Sequence, residues 1–196
     1  MNVSVGECEQ AFAAAAAADG IALTRYKLPW INQRGHLGLP PKAGDAAAVL
    51  EEIFDALGGI RPEQAAKRTT PLPGDFIHVA TNTVIEVDEA QHFTSFRHLS
   101  LSLYPTTQPL NFDAIEYSTL CHSLAPQADA YRRTKTAVAF GVGGRQRQRA
   151  YHDALRDLAL PAMGHPPIIR AAAPDGNGRA AYARARERVR NAIFDV

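Results

Sequence analysis

The stretch DFIHVATNTVIEVDEAQH, residues 75–92, brings Asp75, Glu86, Asp88 and His92 to spacings that could hold a divalent metal ion. Two runs rich in Ile, Val and Phe, 75–80 and 83–89, flank Thr81-Asn82, which is the pattern of a β-hairpin. With Thr81 and Asn82 as the loop, Ala80 faces Thr83, Ile77 faces Glu86 and Asp75 faces Asp88. Side chains alternate along a strand and cross-strand partners share a face. Asp75, Glu86 and Asp88 then project together, and Phe76, Ile85 and Val87 turn to the other, apolar side. Carboxylates so close repel unless a cation neutralises them, and a hard divalent ion is the common solution. Mg²⁺, with Mn²⁺ as a substitute, held by Asp75, Glu86 and Asp88 leaves room for a phosphate, as metal-assisted phosphodiester hydrolysis requires. The alternative is three acids on a solvated sheet face. A slip of one residue would move Asp75 to the opposite face, so the assignment depends on the turn.

The elements that must position this hairpin can be read outward from it. Residues 8–19 form a helix ending near Gly20, and the Pro- and Gly-rich stretch 21–44 reads as irregular. Val49, Leu50, Ile53, Phe54 and Leu57 recur at helical spacing, predicting a helix over 45–57 that packs on a sheet, capped by Asp45 and stopped by Gly58-Gly59. Pro71-Leu72-Pro73-Gly74 breaks the chain before the first hairpin strand. Beyond the hairpin the pattern predicts a strand over 96–104, a helix over 113–138 disturbed at Pro126, a glycine loop at 141–144, a helix over 145–160, a strand over 166–171 and a basic helix over 178–194.

One α/β domain of 196 residues accommodates these elements. An N-terminal helix and extension would occupy 1–44, a core 45–171 with an insertion at about 97–140, and the C-terminal basic helix 172–196. No apolar run approaches a membrane span, and Glu7 and Glu9 stand where a signal peptide would be positive. Cys8 and Cys121 are far apart and lack metal-ligand spacing, which suits a cytoplasmic protein without a disulfide framework.

The run VIEVDEAQHF, residues 84–93, resembles the I-E-x-D-G-x-Q-H-F segment of PD-(D/E)xK superfamily nucleases, in the branch related to very-short-patch-repair endonucleases. A second block is similar to that branch's F-G-G…Q-x-x-D-x-x-K helix and L-x-R strand: Phe140, Gly143, Gly144, Gln148, His152-Asp153, Arg156 and Ile168-Ile169-Arg170. The resemblance spans roughly 45–171 and implies a restriction-endonuclease-like α/β fold, with a central mixed β-sheet flanked by helices. It implies Mg²⁺-dependent cleavage of DNA, with Asp75 and Glu86 on the metal and Asp88 assisting or binding a second ion. Glu89 replaces the usual glycine, Val142 interrupts the second block, and no lysine stands two places after Glu86. In this branch Gln or His often takes that lysine's place, which makes Gln91 and His92 the candidates to orient water or neutralise the transition state. The departures leave open an inactive nuclease-fold protein that binds nucleic acid or a protein partner.

Charge is unevenly spread: residues 1–125 hold 8 Lys/Arg against 14 Asp/Glu, and residues 126–196 hold 13 against 6. An acidic metal-holding part and a basic phosphate-gripping part would give this asymmetry. Arg132, Arg133, Lys135, Arg145, Arg147 and Arg149 cluster around the glycine loop and, with Arg156, are the expected DNA contacts. A homodimer or larger assembly is compatible with that reading. Glu51 or Glu52 could complete the metal site from the preceding helix. Arg184, Arg186, Arg188 and Arg190 spread over more than one helix face, and His78, His98, His122 and His165 lack ligand-like grouping. Residues 141–144 lack both the Walker lysine and the dinucleotide fingerprint, and no G-x-S-x-G elbow supports Ser/His/Asp chemistry.

Overall fold

A computed structural model describes residues 6–194, so the extreme ends of the expected extension and C-terminal segment lie outside it. The chain builds a mixed four-stranded sheet in the order β1-β2-β3-β4, from β1 (Thr24–Asn32), β2 (Pro71–His78), β3 (Thr83–Glu89) and β4 (Ile169–Ala173). The first three strands are antiparallel neighbours and β4 runs parallel to β3. Helices cover both faces. The helices α1 (Glu7–Ala18) and α7 (Gly178–Phe194) pack together over one face. The other face carries α2 (Gly44–Ala56), α4 (Ser95–Ser102), α5 (Ala114–Ala130) and α6 (Arg145–Ala162), with the short α3 (Arg61–Ala65) beside them. No helix among the described residues is long and apolar enough to cross a membrane.

Alternation along the strands sets the two cores. Phe76, Ile85, Val87, Ile169 and Ala171 face α1 and α7 and meet Phe12, Tyr182 and Val189. The close approach of the two helices requires Gly178, where a side chain would run into the carbonyl of Cys8. Val84 and Ile168 face the larger core with Leu50, Ile53, Phe54 and Leu155. Glu86 and Asp88 on β3 and Arg170 on the neighbouring edge strand β4 point to that same side and are buried. Burying charge is costly unless it is paired, so each must find a partner there.

Several expected elements differ. Residues 24–32, expected to be irregular, form β1, an edge strand whose register shift against β2 between Lys27 and Asn32 accommodates Pro29. Pro71-Leu72-Pro73-Gly74 lies inside β2 rather than before it, in the part of the strand whose partners are on β1 and not on β3. The expected strand at 96–104 is α4, started by Thr94, whose hydroxyl accepts the Arg97 N–H at 3.0 Å. The helix α5 starts at the Asp113 cap and runs through Pro126 to Ala130, short of 138. The last strand begins three residues later than expected, at Ile169.

Candidate active site in the hairpin cleft

Phe76 pairs with Ile85, Ile77 with Val84 and His78 with Thr83, so the hairpin turns through four residues, 79–82, and not through Thr81-Asn82 alone. Asn82 takes up left-handed backbone at φ 54°, and the Thr81 hydroxyl bonds His78 Nδ1 at 2.9 Å and Thr83 Oγ1 at 2.7 Å. The register is displaced by two residues from the expected one, which puts Asp75 beside Glu86 rather than opposite Asp88. An even displacement keeps every side chain on its face.

The Asp75 N–H donates to Glu86 Oε1 at 3.1 Å, and Asp75 Oδ2 accepts the Val87 N–H at 2.8 Å. Glu86 also accepts from the Tyr26 hydroxyl at 2.8 Å, and Arg156 Nε stands 3.5 Å from it. Gly74 lets the Tyr26 ring pass, since a Cβ there would collide with it. Arg25 pairs with Asp75 at 3.0 Å from the solvent side. Burial and the Glu86 charge nevertheless push the Asp75 carboxyl up to about 7, and Glu9 and Asp88 add to the effect. Burial and the neighbouring acids thus prevail on Asp75 despite the Arg25 pair.

Asp88 shares that face but serves a different cluster. Its two oxygens take Arg170 Nη1 at 2.9 and 2.8 Å, and the Tyr117 hydroxyl donates at 3.1 Å. Arg170 Nε donates to Asp157 at 2.6 Å, and Asp157 also accepts from Arg97 at 2.6 Å and from the Tyr104 hydroxyl at 2.7 Å. The expected grouping of Asp88 with Asp75 and Glu86 around one ion is therefore corrected: Arg170 already neutralises Asp88, which does not line the cleft.

His92 Nδ1 lies 2.9 Å from Asp153 Oδ2 and 3.3 Å from Asp88 Oδ1. Asp88, His92 and Asp153 offer ligand atoms within 4.8 Å of one another, a buried grouping that could hold a metal ion. Its charge balance is unlike that of Asp75. Burial would raise the Asp153 carboxyl, but His92 and Arg170 hold it well below the usual range. Burial would lower the His92 imidazole, but Asp153 and Asp88 raise it.

Asp75, Glu86, Gln91, His92 and Asp153 line one cleft of about 550 Å³ with Lys67, Arg145, Arg149, His152 and Arg156. Gln91 Nε2 donates to Glu89 at 2.9 Å, and its carbonyl accepts from Arg149 at 3.0 Å. Arg156 spends its terminal nitrogens on the carbonyls of His152 and Pro73, at 3.1 and 2.7 Å. It is thus tied beside Glu86 more than offered to a phosphate. Arg147 departs from its expected DNA contact: it clamps the Phe140 carbonyl at 2.6 Å and those of Leu57 and Val142 at 3.5 Å, outside the cleft. Arg132, Arg133 and Lys135 are exposed and outside the lining.

The third acid also comes from elsewhere. Glu51 pairs with Arg61 at 2.7 Å and Glu52 is exposed, and neither lines the cleft. Glu9 of α1 does, with Oε2 buried and unbonded. Its only sequence signal was an acid in the first turn of an alanine-rich helix. Lys67 was likewise not legible as a cleft residue, whereas His152 stood in the second resembling block and does line the cleft; burial pushes the His152 imidazole down to about 3, aided by Arg156 and Lys67, and its Nε2 is buried without a partner. Comparison with protein-family models, curated proteins and solved structures gave no match.

Proposed function

We propose that the protein is a metal-dependent nuclease with a restriction-endonuclease-like fold, hydrolysing DNA phosphodiester bonds in the hairpin cleft. One observation carries this reading: Asp75 and Glu86 sit side by side, the Asp75 carboxyl raised by burial and its acidic neighbours, in a cleft that also presents Lys67, Arg145 and Arg149. Paired oxygen donors suit a hard divalent cation, and cations beside them suit a phosphate. The unbonded Glu9 oxygen supplies a further hard donor toward the same cleft.

Asp75, Glu86 and Glu9 would hold Mg²⁺ or Mn²⁺. The chemistry such an ion supplies there is charge neutralisation on the phosphate and acidification of the attacking water. The Asp88-His92-Asp153 grouping is the poorer place, since Arg170 already stands on Asp88. It positions His92 instead: with Nδ1 bound to Asp153, Nε2 is the ring nitrogen left to face the phosphate or the leaving oxygen. Tyr26 and Arg156 fix Glu86, and Arg145 and Arg149 orient the phosphate backbone. Arg156 beside Glu86, in a chain without the motif lysine, favours the second reading of a protein that binds nucleic acid without cutting it.

The deciding experiment incubates supercoiled plasmid and single-stranded circular DNA with Mg²⁺ or Mn²⁺, alongside EDTA and Glu86→Gln controls. Metal-dependent nicking or linearisation lost in Glu86→Gln supports the nuclease. DNA bound but intact with both metals moves the binding reading ahead, and neither binding nor cleavage sinks both.

A further inference from the structure

From Tyr131 to His152 the chain has six cations and no acid. Arg147 is spent on carbonyls, while Arg132, Arg133 and Lys135 are exposed and form no ion pair among the described residues. Unusually large apolar groups are exposed among them: Tyr131 at 43%, Val138 at 60% and Val142 at 80%. The segment is one folded patch. Ala137 N–H donates to the Gly141 carbonyl at 3.0 Å, and the Arg133 carbonyl lies so close over Gly143 that a side chain there would collide with it. The Arg132 guanidinium stacks 5.1 Å from the centre of the Tyr131 ring, on left-handed backbone at φ 52°. The patch continues into the cleft through Val138 and Arg145.

We propose that residues 131–145 form a docking surface for an unpaired DNA strand entering the cleft. The nuclease reading supplies the fate of that strand; binding rests on the patch alone. Unpaired cations call for a polyanion. A duplex offers this surface phosphates but keeps its base faces stacked inside, leaving Tyr131, Val138 and Val142 in water. An unpaired strand offers both phosphates for Arg132, Arg133 and Lys135 and base faces for the tyrosine and valines.

The test is fluorescence anisotropy in EDTA, where nothing is cut, with a labelled single-stranded oligonucleotide and its duplex. The single strand should bind about tenfold or more tightly than the duplex, and Tyr131→Ala should weaken it by about tenfold with its thermal melt unchanged. Replacing Arg132, Arg133 and Lys135 together by Gln should flatten the log–log salt slope by about 2, at ~0.7 per phosphate on a single strand. Equal affinity for duplex, or variants that bind the strand as wild type does, would overturn the proposal. So would sedimentation showing a dimer that Val142→Lys dissociates while strand binding is untouched, since the patch would then serve self-association. Because binding is read without metal, a failure of cleavage leaves this result standing, and a failure here leaves cleavage to be judged separately.

Discussion

Asp75 and Glu86 hold each other across the hairpin, the N–H of Asp75 donating to Glu86 at 3.1 Å while the Asp75 carboxylate accepts from Val87, next to Glu86, at 2.8 Å. Two acids fixed this way cannot swing apart to relieve their repulsion. That makes the pair an electrostatic liability until a cation arrives, and the liability has a measurable pH dependence.

The Asp75 carboxyl is raised from 3.8 to about 7 in the folded protein. A raised pKa means that its share of stability is complete below about pH 4 and is lost as pH climbs through about 7. The loss is on the order of a few kcal/mol at most. Thermal melts in EDTA should therefore show Asp75→Asn gaining on wild type between pH 5 and about 8. Added Mg²⁺ should raise the wild-type Tm at pH 8 and leave the variant nearly unmoved. A variant that tracks wild type at every pH would contradict this charge balance.

Asp88 and Arg170 make the opposite case, a buried pair already satisfied. Arg170→Met should cost about 3–5 kcal/mol, because Asp88 and Asp157 lose a shared cation in the interior. Urea titration measures it. Asp88→Asn should also destabilise, while the Mg²⁺ concentration needed for half-maximal activity of the folded protein should stay within about twofold of wild type. A tenfold rise would return Asp88 to the metal site.

Two arginines of α6, two residues apart, should separate cleanly. Arg147→Met strips charge-assisted hydrogen bonds from the carbonyls of Phe140 and Leu57 and should cost about 2 kcal/mol. Arg145→Glu should leave the melt nearly unchanged and weaken DNA binding about tenfold, as a cleft cation is reversed. Paired stability and binding measurements decide it, and the reverse pattern would exchange their roles.

His152 predicts an acid-side effect. Its folded pKa near 3 lies below the ordinary 6.5, so its share of stability is present above about pH 6.5 and lost as pH falls toward 3. His152→Gln should narrow the drop in Tm over that interval relative to wild type.

The hairpin strands were legible because Ile85 and Val87 alternate with Glu86 and Asp88, and alternation survives an even error in register. The turn itself was not, since Thr81-Asn82 has the composition of a two-residue loop and gives no sign that His78 and Thr81 close a wider one. The β1 strand was hidden by Pro29 and by the lack of alternation, because an irregularly paired edge imposes neither rule. Arg97 fell inside the expected strand 96–104; it is on the buried face of α4, reaching Asp157. Spacing identified which acids share a sheet face, but which of them meets an arginine depends on residues far away in sequence.

The Asp88–Arg170 contact spans 82 positions, and Asp157, Arg97 and Tyr117 close around it from three further segments. The stretch that looked like an insertion, 97–140, thus contributes two of the groups that keep the interior neutral, and it cannot be excised as a module. The same reach orders events in time. During synthesis Asp88 emerges 82 positions before the arginine that neutralises it, so its buried pairing must wait for β4. Glu86, on the same strand as Asp88, thus lies beside a buried pair that the chain can complete only once β4 has been made.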